Sequence, residues 1–164
     1  MEAAVTGRQA HWPTARQRRW LIALGVVTTI IVAAALAWRP AAAWWHFQRG
    51  QSDLNRHRSA SALTHFERSI VLGRSSPSSH LLAARAARRS GDLDKAQHHL
   101  AECQRLEKKP TEQSILEWAM LEASSGRLER VEPFLRRKVE ENHPLFDLIY
   151  EALVEGYLRV YRIF

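Results

Sequence analysis

A cluster of three arginines and a set of eight histidines have the most chemistry to offer in this sequence. Arg85, Arg88 and Arg89 stand at i, i+3 and i+4, a spacing that places them on one face of a helix. Guanidinium forks so placed pair bidentately with carboxylates, which makes the cluster a candidate receptor for a carboxylate or an acidic peptide. The plainer alternative is a solvated basic face. The histidines include the adjacent His98 and His99 and the scattered His46, His57, His65 and His80. Neighbours on a helix point about 100° apart and chelate poorly, so these are read as solvated side chains. The single cysteine, Cys103, permits neither an intramolecular disulfide nor a paired-thiolate zinc site. In its apolar helical frame it reads as a small buried hydrophobe. No glycine-rich phosphate loop, nucleophile elbow or metal-ligand spacing stands in the chain. The sequence therefore predicts no catalytic residues, no cofactor, no metal and no enzyme activity.

The elements that carry these side chains follow from composition and pattern. The chain has 164 residues, enough for one modest domain and an appendage. It holds only seven glycines and six prolines and sustains no strand-like alternation, which predicts an all-α fold. The net charge of +7 is spread along the chain, +3 before the apolar segment described next and +4 after it. No concentrated basic face or nucleic-acid module accompanies it, so no nucleic-acid partner is expected.

Residues 20–38 contain no charged side chain. A helix of that length spans about 28 Å, close to the roughly 30 Å hydrocarbon core of a bilayer. Trp20 and Trp38 close the segment at its two ends, where indole rings favour the membrane interface, so both are candidate anchor residues. Arg39 follows, and Pro40 is expected to end the helix. Trp44 and Trp45 lie near enough to reach the headgroups. A single-pass anchor fits best. A cleaved signal peptide is the alternative, with Ala35-Leu36-Ala37 or Ala41-Ala42-Ala43 as the small-residue site, although the apolar run exceeds a usual signal core. Arg16, Arg18 and Arg19 crowd the N-terminal flank. That bias places the N-terminus in the cytoplasm and the remainder in an exocytoplasmic, periplasmic space. Residues 1–19 read as a disordered basic tail.

The remainder repeats. Ser90-Gly91-Asp92-Leu93-Asp94-Lys95-Ala96 aligns with Ser125-Gly126-Arg127-Leu128-Glu129-Arg130-Val131 at an offset of 35. Ala62 and Phe66 align with Ala96 and Leu100 at an offset of 34, and Pro77, Pro110 and Pro144 are spaced 33 and 34 apart. Each unit reads as two helices. In the best copy they cover about 79–90 and 93–108, with Leu82, Ala83, Ala86 and Ala87 on one face and Ala96, Leu100, Cys103 and Leu106 on the other. Gly91 suits the left-handed helix end and Asp92 the cap of the next helix. The following unit offers Ile115, Trp118 and Ala119, then Leu128, Val131 and Leu135. Units are expected at about 43–76, 77–111 and 112–145, with a partial one at 146–164.

This layout resembles the tetratricopeptide repeat, a 34-residue helix–turn–helix with small residues at the helix contacts. Ala84, Ala96 and Leu100 match its small, alanine and large apolar positions. Ala87 and Glu122 replace the tyrosine of the first helix, Val131 replaces an alanine, and the first copy carries Asn55-Arg56-His57-Arg58 where the others have a glycine turn. The resemblance implies a helix–turn–helix solenoid with a groove lined by the first helices. It would place Arg85, Arg88 and Arg89 in that groove over an apolar floor of Leu116 and Met120. It further implies a membrane-anchored scaffold binding a protein or peptide, an acidic one suiting the arginines. The alternatives are the N-terminal portion of a larger repeat protein with a regulatory or secretion role, and a periplasmic protein freed by signal cleavage. Residues 145–164, with Ile149, Leu153, Tyr157 and Tyr161 at helical spacing, read as one more first helix without a partner. Apolar Leu158, Ile163 and Phe164 favour its packing on another chain or on a continuing array.

Overall fold

The computed structural model of the chain describes residues 15–161. Residues 1–14 and 162–164, Ile163 and Phe164 among them, lie outside the described residues, as does the side chain of Trp20. All regular structure among the described residues is helical: α1 (Ala15–Asn55), α2 (Ser59–Val71), α3 (Pro77–Arg89), α4 (Leu93–Leu106), α5 (Glu112–Ser124), α6 (Leu128–Glu140) and α7 (Phe146–Val160). The chain divides into two units, Met1–Trp38 and Arg39–Phe164.

In the first unit, residues 15–19 are helical, not the expected loose tail. The described apolar side chains Leu24, Val26, Val27, Ile31 and Val32 are all exposed. The Thr28 hydroxyl donates to the carbonyls of Leu24 and Gly25, and that of Thr29 to Gly25, so neither hydroxyl needs an outside partner. The stretch Leu24–Asn55 within α1 is long and apolar enough to cross a membrane. Pro40 does not end α1, contrary to the sequence expectation. Proline costs one backbone hydrogen bond and a steric clash within a helix. Downstream burial offsets that cost: Ala43, Phe47 and Leu54 are in the core.

In the second unit, α1 meets α2 through the Phe47 and Phe66 rings, edge to face at 5.7 Å, and through Ser69, whose hydroxyl donates to the Ala43 carbonyl. The remaining helices pack in chain order, and α5 also touches α3 and α7. Local chemistry sets the helix ends. Ser76 caps α3 by accepting from the Ser79 N–H, with Pro77 opening the helix. Asp92 caps α4 through the Lys95 N–H. Thr111 and Ser114 form a reciprocal capping box on α5. Gly91 and Gly126 adopt φ of +86° and +88° behind α3 and α5. In the first turn, which lacks glycine, His57 takes φ of 58°.

The first helices α3, α5 and α7 begin at Pro77, Glu112 and Phe146, and the second helices α2, α4 and α6 at Ser59, Leu93 and Leu128. Each set recurs every 34 or 35 residues. Two apolar clusters form the core. One joins Phe47, Leu54, Phe66, the α3 alanines, Ala96, Leu100 and Cys103, and reaches Leu121. The other joins Leu116, Met120, Leu128, Leu135, Ile149 and Leu153. Ile115, expected inside, is exposed, because the buried side of α5 runs through Leu116, Ala119, Met120 and Ala123 instead.

Candidate functional site

The three arginines of α3 do share one side of the helix, and each meets an acidic partner from a later helix. Arg85 and Arg88 donate through Nε to the two oxygens of Glu117 on α5, both at 2.9 Å. Arg89 donates through Nε to Glu151 on α7 at 2.9 Å, and its Nη2 lies 2.8 Å from His57 Nδ1. Glu117 has no exposed surface and Arg88 retains 1%. Burial alone would raise the Glu117 carboxyl, but Arg88 and Arg85 beside it, hydrogen-bonded to it, hold it below the ordinary carboxylate value. Arg88 Nη2 approaches the Met120 sulfur at 3.8 Å, and its Nη1 is buried without a hydrogen-bond partner.

The expected open basic groove is therefore revised. Arg88, Leu116 and Met120 are interior, and the last two belong to the second core cluster rather than to a groove floor. The sequence pattern missed Glu117 and Glu151 as partners. The signal for the first was present as a lone carboxylate in an otherwise apolar helix, Ile115 to Met120.

Arg85 and Arg89 still face an open space. They line a cleft of about 320 Å³ together with Leu54 and Asn55 from the end of α1, His57 from the following turn, and Asp147, Leu148 and Glu151 of α7. That volume lies at the low end for a binding site. One wall is basic and the other acidic, and the Arg89–Glu151 pair links them.

His57 and His98 are exposed as expected, but the other four named histidines are not the solvated side chains expected. His80 and His99 are buried, with Nδ1 atoms 3.2 Å apart, and His46 and His65 meet through Nδ1 at 2.9 Å. No group of three or more metal-ligating side chains occurs among the described residues. Cys103 is buried, and that burial, with Glu107 nearby, pushes its thiol up to about 12, so it stays protonated and unreactive. Trp38 is exposed, as are Trp44 and Trp45.

No protein-family model matches the chain, and no curated protein or solved structure matches it.

Proposed function

We propose that the protein is a membrane-anchored scaffold of the tetratricopeptide type, with residues 20–38 as a single-pass anchor and the helical array outside the cytoplasm. The 34- to 35-residue recurrence of helix starts supports the repeat reading. The exposed apolar surface of α1, its self-satisfied threonines and the flanking arginines support the anchor. Alkaline carbonate is expected to leave the full chain in the membrane fraction, whereas deleting residues 20–38 should move it to the supernatant. A full chain that washes off with carbonate would overturn the anchor.

The observation that carries the binding role is the cleft between α3 and α7, with charged walls of both signs. It suits an extended segment of a protein partner that presents an acidic side chain to Arg85. Arg85 spends its Nε on Glu117, and no hydrogen bond among the described residues engages its Nη atoms. A photo-crosslinking residue at Asn55, beside the cleft, should trap a discrete partner in native membranes. The same probe at Gln104, on the far helix α4, should not. Arg85→Ala should weaken the Asn55 product while leaving the helical circular dichroism intact. Equal products from both positions would sink the assignment.

A second reading is favoured by α7, where Tyr150 and Val154 stay about half exposed beside a groove shared with Val139 of α6. Such a face suits a further helix packed on α7, as expected for a longer array.

A further inference from the structure

Two histidine pairs occupy equivalent places in successive helix pairs. His46 and His80 are 34 residues apart, and so are His65 and His99. Each pair ties a first helix to its second helix through facing Nδ1 atoms, α1 to α2 at 2.9 Å and α3 to α4 at 3.2 Å. In the third unit, offset by 35, the same registers hold Ile115 and Phe134, which cannot repeat the contact.

We propose that these pairs are an acid-sensitive latch, closing the first two helix hairpins while the imidazoles are neutral and releasing them on protonation. In the neutral state one ring donates its Nδ1 proton to the bare Nδ1 of the other. A first added proton preserves this bond but puts a charge in a site that is buried at His80–His99 and half-buried at His46–His65. A second leaves two N–H groups facing each other across 2.9–3.2 Å, which the pair accommodates only by parting.

The surroundings of His46, His80 and His99 favour their neutral forms. His46 and His65 lie edge-on to the Trp45 ring, with Arg68 of α2 close by. Asp53 opposes this, 3.8 Å from His65 Nε2, but its carboxylate is engaged by the Ser61 hydroxyl and faces Arg49 and Arg58. The second pair has Ser75 at 3.1 Å from His80 Nε2. Glu67 of α2 lies 3.9 Å from His99 Nε2 but also pairs with Lys95. Glu102, Arg105 and His98 of α4 complete the charged surroundings. Burial is the leading cause that lowers His46, His80 and His99 below the ordinary histidine value, His99 to about 4.

The sign follows. A histidine lowered in the folded state binds protons preferentially when released, so the latch is fully closed above about pH 6.5 and weakens toward pH 4. An opened His80–His99 pair takes up as many as two protons that the closed pair excludes. The opening constant of one hairpin should therefore rise up to about 100-fold per pH unit within that window.

Hydrogen exchange of the full chain in nanodiscs between pH 7 and 5, corrected for intrinsic exchange, tests this. Amides of α2 and α4 should lose protection steeply, while those of α6, in the unit without the pair, should hold. The double variant His80→Asn/His99→Asn keeps a neutral hydrogen-bonded pair and should flatten the response of α4. Should that variant fail to fold, ring ¹⁵N titration of the unaltered chain decides: His80 and His99 must resist protonation well below the ordinary histidine value. Uniform loss of protection across all hairpins, or His80 and His99 titrating at the ordinary histidine value, would overturn the latch.

Discussion

Replacing Glu117 with alanine should cost about 3–5 kcal/mol of stability, the range for removing one partner of a buried ion pair. The carboxylate is wholly buried and takes one hydrogen bond each from Arg85 and Arg88. Without it, the Arg88 guanidinium would be a charge in the interior with only the Met120 sulfur for company. Solvent cannot relieve it, because its side chain has no exposed surface. Thermal denaturation followed by circular dichroism should show a fall in Tm on the order of 10 °C. The double variant Arg88→Met/Glu117→Leu removes both charges at similar volume and should recover most of the loss. A single variant as stable as the parent would mean that the pair is not buried as described. Acid should act in the same direction. Glu117 is held below its ordinary carboxylate value, so its contribution stands above about pH 4.5 and fades as the pH falls below that.

The second large effect is expected at Gly156, where α7 presses directly on α5. A Cβ there would stand 2.9 Å from the Ala123 carbonyl oxygen and 3.1 Å from Leu128 Cδ1. The first obstacle is helix backbone, which cannot turn aside as a side-chain tip can. Gly156→Ala gains about 1 kcal/mol of helix propensity in isolation, yet the forced separation of the helices should outweigh it, with overpacking costing about 1–3 kcal/mol. Gly156→Val should be worse. The neighbouring bond from the Ser124 hydroxyl to Glu155, 2.7 Å long, would be strained by the same displacement. Urea titration of both variants checks the order. Stabilisation by Gly156→Ala would show that α7 sits further from α5.

Much of the local architecture was legible because it is written in local chemistry. Gly91 and Gly126, the cap at Asp92, and the alanines of α3 announce helix ends and close contacts without reference to distant residues. What stayed hidden depends on neighbours far along the chain. Pro40 argues for a break until the burial of Phe47 and Leu54 is known. A helix period fitted to Ile115, Trp118 and Ala119 misplaces the face of α5, because α3, α4, α6 and α7 all touch that helix and bury Leu116, Glu117 and Met120. Three arginines at helical spacing cannot reveal acids 29 to 62 residues away. The histidine pairs were within reach, since the offset that aligned Ala62 with Ala96 also aligns His46 with His80 and His65 with His99.

The two core clusters meet at α5, which gives Leu121 to one and Leu116 and Met120 to the other. That helix is a shared member of two cooperative blocks. Damage confined to α7 need not melt the α1–α4 block, but loss of α5 strips a wall from each at once. In mechanical terms α5 is a pin shared by both clusters, and the Arg88–Glu117 bond ties that pin to α3.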